Sequence, residues 1–260
     1  MKTLAATLLL VAALPLTAAE LPETIDRTID VRAGAQVELS NVNGRVTVGA
    51  WDQPRVRIVA RKEVRGDRDE LAEALRALVV EIQPRNGGVP INTRHPKQDG
   101  SSSFFDWLLG DDIQAEVVYE LTVPRNMNLD LRTVNGAIHL TGVDGRHELG
   151  TTNGRIEVAR CAGSMDASTT NGSISAELIR VAKGQPLEFE TTNGKIEVTV
   201  PRDLAVDVNA STTNGGIESD LPVATTRVSR NSLRGSINGG GTPLRLETTN
   251  GSIEIRTTRG

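Results

Sequence analysis

Hydrophobic and polar residues alternate along most of this chain. Leu187, Phe189 and Thr191 alternate with Glu188 and Glu190, and beyond Asn193-Gly194 the residues Ile196 and Val198 alternate with Lys195 and Glu197. The same frame returns as Leu244, Leu246 and Thr248, then Ile253 and Ile255. A period of two predicts half-buried strands, with Leu, Ile and Val inward and Glu, Lys and Ser outward.

The turns between these strands repeat. Thr-Thr-Asn-Gly stands at 151–154, 169–172, 191–194, 212–215 and 248–251, and Val-Asn-Gly at Val42–Gly44 and Val134–Gly136. The turn pairs are Asn135-Gly136, Asn153-Gly154, Asn171-Gly172, Asn193-Gly194, Asn214-Gly215 and Asn250-Gly251, spaced 18, 18, 22, 21 and 36 residues apart. The long last gap reads as hiding a degenerate unit, Leu233–Ile237, with Arg234 in place of Asn. A period of about 20 residues marks a repeat array. Two architectures fit. Asn-Gly between alternating strands is a strong hairpin signal because both residues accept positive φ. A hairpin meander, however, sets Glu190 against Glu197 and Glu247 against Glu254, which is unfavourable. In a β-solenoid each unit is a coil, and the amides stack as a structural ladder from coil to coil. That stacking accounts for the identity of the repeated residues.

The repeat is broken by an insert at about 66–114. Asp67–Ile82 reads as a helix with Leu71, Leu75, Leu78, Val79 and Ile82 on one face and Pro84 as its stop. Arg85–Gly110 reads as a long loop, and Glu116–Val123 as a strand. The loop carries Phe104, Phe105 and Trp107, three of the chain's six aromatic residues. They are the candidate partner-binding residues, or else, with the helix, a plug over a solenoid end.

The fold proper starts after residue 19. Lys2, the apolar run Leu4–Leu16 and the small residues Thr17-Ala18-Ala19 form a secretory signal peptide, 1–19, leaving 20–260 as one domain. No later stretch is apolar enough to span a membrane. The expected location is the periplasm or cell surface. A formal charge of -4 offers no basic field for nucleic acid. Cys161 is the only cysteine and reads as a small buried hydrophobe.

Val42-Asn43-Gly44-Arg45-Val46-Thr47-Val48, Trp51-Asp52, Val56-Arg57-Ile58, Tyr119–Pro124, Leu129-Asp130-Leu131 and the Asn-Gly-x-Ile units together resemble a bacterial adhesin-like domain family of unknown function. The resemblance covers nearly all of the mature chain. It implies an all-β, right-handed parallel β-helix or solenoid in an exported protein, and it implies no activity.

Chemistry is sparse. His95, His139 and His147 have no metal-ligand spacing, and neither a nucleophile elbow nor a phosphate loop is present. No catalytic residue, metal or cofactor is expected. Glu157, Glu197, Glu218 and Glu254 share a repeat position. They read as a solvated row, or alternatively as the carboxylates of a polysaccharide lyase or hydrolase. The favoured reading is a non-enzymatic envelope module that meets an envelope protein or glycan. Self-association through the solenoid end is expected too, because the last strand, Ile253–Ile255, reads as uncapped.

Overall fold

A computed structural model describes residues 19–94 and 114–258, apart from Ala33, Asp67, Asn86 and Ala182. Residues 1–18 of the expected signal peptide, His95 and the Phe104–Leu109 segment lie outside the described residues. The elements begin with β1 (Ala19–Asp30), β2 (Gln36–Ser40), β3 (Val46–Trp51), β4 (Arg55–Gly66), α1 (Arg68–Ala77), β5 (Val79–Ile82), β6 (Gly88–Arg94) and β7 (Gln114–Pro124). Next come β8 (Asn128–Asn135), β9 (Ile138–Thr141), β10 (Asp144–Asn153), β11 (Ile156–Asn171), β12 (Ile174–Arg180), β13 (Leu187–Asn193) and β14 (Ile196–Val200). The chain ends with β15 (Val206–Asn214), β16 (Ile217–Ser219), β17 (Ala224–Ser229), β18 (Ser232–Ile237), β19 (Thr242–Asn250) and β20 (Ile253–Thr257).

The strands belong to one curled sheet with two parallel rows. Strands that lead into an Asn-Gly corner, with β6 added outside β2, pair in the order β6, β2, β8, β10, β11, β13, β19, β15. Strands that leave the corner, with β7 added outside β3, pair as β7, β3, β9, β11, β12, β14, β20, β16. The long β11 serves both rows. The corner therefore does not close a hairpin: Glu190 neighbours Ser168 and Glu247, while Glu197 neighbours Ser175 and Glu254. The alternation fills the space between the rows. Leu129, Leu131, Leu149, Leu187 and Phe189 point in from one, and Ile138, Ile156, Ile174, Ile196 and Ile253 from the other. Each fully buried side chain of this size stabilises the fold by roughly 1.5–3 kcal/mol.

Chain order and stacking order diverge at both ends. The coil β2–β3 lies between β6–β7 and β8–β9, so the first coil is internal. The last coil, β19–β20, lies between β13–β14 and β15–β16. The final strand is therefore paired on both sides, which corrects the expectation of an open edge at Ile253–Ile255. Antiparallel strands flank the stack instead: β4 and β1 beyond β7, β5 beyond β6, and β18 then β17 beyond β15. The supposed degenerate coil at Leu233–Ile237 is β18, running antiparallel to β15. Lacking Asn and the inward Thr, it cannot continue the corner.

The insert also differs from expectation. The helix stops at Ala77, and Val79–Ile82 is strand β5, paired with β6. The β-branched Val79, Val80 and Ile82 favour the extended chain once a partner strand is available. Leu71 and Ala74 of α1 pack on Val64 as a small separate cluster. The expected loop contains β6, which pairs with β2. The Tyr119 hydroxyl of β7 and Thr93 Oγ1 of β6 share a buried 2.6 Å hydrogen bond that ties the two rows together.

Candidate binding surface

Each residue of Thr-Thr-Asn-Gly has a distinct place. The first Thr is buried, and its hydroxyl donates to a glycine carbonyl of the neighbouring coil: Thr151 to Gly136 (3.0 Å), Thr169 to Gly154 (3.1 Å), Thr191 to Gly172 (2.9 Å), Thr248 to Gly194 (3.0 Å) and Thr212 to Gly251 (2.9 Å). The second Thr is exposed. The Asn amides form a continuous ladder. Asn135 Nδ2 donates to Asn43 Oδ1, Asn153 to Asn135, and Asn171 to Asn153, each at 2.8 Å. Asn193 donates to Asn171 at 2.9 Å, Asn250 to Asn193 at 2.8 Å, and Asn214 to Asn250 at 2.8 Å.

The glycine serves packing rather than turn conformation. Among the corner glycines only Gly44 has a left-handed φ (119°). At Gly136, Gly154, Gly172, Gly194, Gly251 and Gly215 a Cβ would overlap the glycine carbonyl of the adjacent coil. Positive φ, the basis of the hairpin reading, is not what selects glycine here. At the far end of the ladder Asn41 replaces the inward Thr, and its Nδ2 donates to Asn43 O and Val117 O, both at 3.0 Å.

The Glu row on the outgoing strands is a chain of ion pairs. Its register is His139, Glu157, Ser175, Glu197, Glu254, Glu218. Lys195 Nζ lies 2.8 Å from both Glu197 and Glu254, Arg155 3.0 Å from Glu157, and Arg256 2.9 Å from Asp220. His139 Nδ1 is 2.8 Å from Glu157. The Arg155 guanidinium holds the Glu157 carboxyl below its usual range, and Lys195 does the same for Glu254. A general acid of a glycosidase needs the opposite shift. Among the described residues no three His, Cys, Asp or Glu side chains are grouped to hold a metal.

The other two residues flagged from sequence are internal. Cys161 is buried, and burial pushes its thiol up, away from a reactive thiolate. His147 is fully buried with Nε2 3.2 Å from Val143 O, and its Nδ1 has no partner. Burial pushes its pKa down to about 4.

One surface feature escaped the sequence reading. On the incoming strands Glu38, Asp130, Glu148, Asp166 and Glu188 are consecutive register partners, and Arg245 ends the run. Arg132 lies 2.8 Å from Asp130 and 3.4 Å from Glu148, and Arg146 2.6 Å from Glu148. Desolvation and the charges of Glu188 and Glu148 push the Asp166 carboxyl up. The signal was present as a carboxylate five positions before each of Asn43, Asn135, Asn153, Asn171 and Asn193.

The amide ladder, glycine stack and outward charged rows define a solenoid-like, all-β repeat domain. A family match to Toastrack DUF4097 spans residues 112–256, more than half of the chain, and the protein belongs to this adhesin-like family. No curated protein matches it. Among solved structures it is similar to a candidate cell adhesion protein from Clostridium sporogenes ATCC 15579, at 10% identity over 92% of this chain and 100% of that one, with a TM-score of 0.49. A candidate adhesin from Bacteroides fragilis NCTC 9343 matches at 8% identity over 91% and 97%, with a TM-score of 0.34. A candidate lipid binding protein from Parabacteroides distasonis ATCC 8503 matches at 12% identity over 92% and 97%, with a TM-score of 0.27.

Proposed function

We propose that the protein is an exported, non-enzymatic, adhesin-like module of the cell envelope, working in the periplasm or at the cell surface. Its two rows wind as a right-handed β-helix, and its outward face meets an envelope protein or glycan. The observation that carries this reading is the use made of the repeat. The buried Thr and the corner Gly are consumed in holding coil on coil, and the Asn amides largely so. What remains for a partner is an outward lattice of exposed Thr and charged rows at strand spacing. The 1–19 signal sequence supports export. No helix among the described residues is long and apolar enough to cross a membrane.

Two parts of the molecule are the contact candidates. One is the acidic stripe through Glu148, Asp166 and Glu188. The other is the segment with Phe104, Phe105 and Trp107, which lies in the chain between β6 and β7, where other coils have their Asn-Gly corner. The test is binding of the mature chain to envelope extract, compared with a Glu148→Gln, Asp166→Asn, Glu188→Gln triple variant and a chain lacking residues 100–110. At least one change should weaken binding about tenfold, or ~1.4 kcal/mol. If both folded variants bind like the parent, neither surface is the site and the reading fails.

A further inference from the structure

The last coil, Thr242–Thr257, fills a slot between two coils made earlier in the chain. Within it Leu244, Leu246, Ile253 and Ile255 are buried. Asn250 donates to Asn193 and accepts from Asn214, and Thr248 donates to Gly194 O. Lys195 reaches Glu254 from one side of the slot, and Asp220 receives Arg256 from the other.

The route into the slot is unusual. Ile237 of β18 and Thr242 of β19 are both register partners of Val206, on opposite sides of β15. β18 and β19 would form a hairpin if β15 did not lie between them. The four residues joining them must cross two strand spacings, about 10 Å. All four sit in the left-handed region: Asn238 at φ 50°, Gly239 at 86°, Gly240 at 75° and Gly241 at 126°. They are clamped over the start of β15, with Asn238 Nδ2 donating to Arg202 O (2.8 Å) and Leu204 O (3.0 Å), and Gly241 N–H to Asp207 Oδ2 (2.9 Å).

We propose that this hinge makes the C-terminal coil exchangeable, so that two copies of the chain pair by each laying Thr242–Thr257 into the other's slot. Every contact made within the slot is available unchanged from a second copy. The balance between closed chain and exchanged pair then rests on the hinge and on the entropy of association. Opening the hinge frees Asn238 from a left-handed conformation that L-residues other than glycine seldom adopt. Short strained hinges favour such exchange.

The test uses the full mature chain with Glu190→Cys and Glu247→Cys, which are register partners across the slot. Their disulfide lies within one chain when the coil is closed and links two chains when it is exchanged. Cys161 is buried and does not compete. Deleting Gly239 and Gly240 leaves a reach of about 11 Å, with no slack to arch over β15. This shortened hinge should double the mass in solution and give covalent dimers on a non-reducing gel. The same cysteine pair with the intact hinge, refolded over a series of protein concentrations, should give a dimer band that grows with concentration. A folded short-hinge chain that forms only intrachain disulfides would overturn the proposal. So would an intact-hinge chain that gives no covalent dimer at any concentration, whether or not the short-hinge chain folds.

Discussion

The middle of the stack and its two ends are built by different rules. From Asn128 to Val200 the order of coils in space is their order in sequence, and the same corner motif turns each coil from its incoming to its outgoing strand. At either end a coil is slotted between others, and antiparallel strands take over the edges. The middle shows what the repeat does for stability, and the ends show how a repeat that could grow is made to stop.

The sharpest way to break this contrast is at glycine. Gly172 stands at a corner against the Gly154 carbonyl, while Gly216, one residue past the corner glycine Gly215, has nothing within 4 Å. Gly172→Ala should cost about 3 kcal/mol or more, because the Gly154-Arg155 backbone of the adjacent coil must move. Gly216→Ala should stay within ~0.5 kcal/mol. Chemical denaturation of the two variants measures both. Equal costs would show that the corner glycines are selected for something other than coil spacing.

The next effect is a pH dependence in the middle coils. His147 titrates near 4 in the fold against 6.5 free. The unfolded chain therefore binds the proton first as pH falls, so this contribution is fully present above pH 6.5 and is lost between 6.5 and about 4. The loss should be on the order of 3 kcal/mol. His147→Leu should flatten that limb of the stability profile, and an unchanged profile would assign the acid sensitivity to other groups. A smaller effect separates interior from end along the ladder. Asn171 has amide bonds to two neighbours, Asn214 to Asn250 alone. Asn171→Ala should cost about 1 kcal/mol and Asn214→Ala about half that. Reversal of the order would mean the ladder is not what the amides contribute.

Much of the middle was legible in the sequence because it is local. Alternation around Asn193 places Phe189 and Ile196 inward, and the recurrence of Thr and Asn points to stacking of like on like. The ends were not legible, and the cause is the same recurrence. Asn193 offers Asn250 the same acceptor it would offer Asn214, so identical corners do not encode which coil lies next to which. That choice is made by connections such as Asn238–Gly241 crossing β15. The helix was misjudged at its end because Leu78, Val79 and Ile82 fit a helical face, while β6, the partner that draws Val79–Ile82 into a strand, lay in a segment read as loop. The acidic stripe was missed because each carboxylate looks like an ordinary outward residue until the register aligns them.

The stripe supplies the smallest and most discriminating effect. Asp166 lies between Glu148 and Glu188, and its carboxyl is raised above the ordinary value. A raised carboxyl pKa means that the folded chain resists ionisation more than the unfolded chain. The ionised group therefore costs stability once pH exceeds its folded pKa, and nothing when both states are protonated. Asp166→Asn should raise stability at pH 7 by less than about 1 kcal/mol, since much of the side chain is solvent-screened. The gain should shrink at high salt and vanish near pH 3. Glu188, whose next neighbour is Arg245, has an attractive partner on that side. Glu188→Gln should therefore gain less than Asp166→Asn, or lose slightly. If the two substitutions behaved alike at every salt concentration, the stripe would be five independent surface charges. The contrast between a crowded middle and a neutralised end would then hold for the backbone of this molecule but not for its surface.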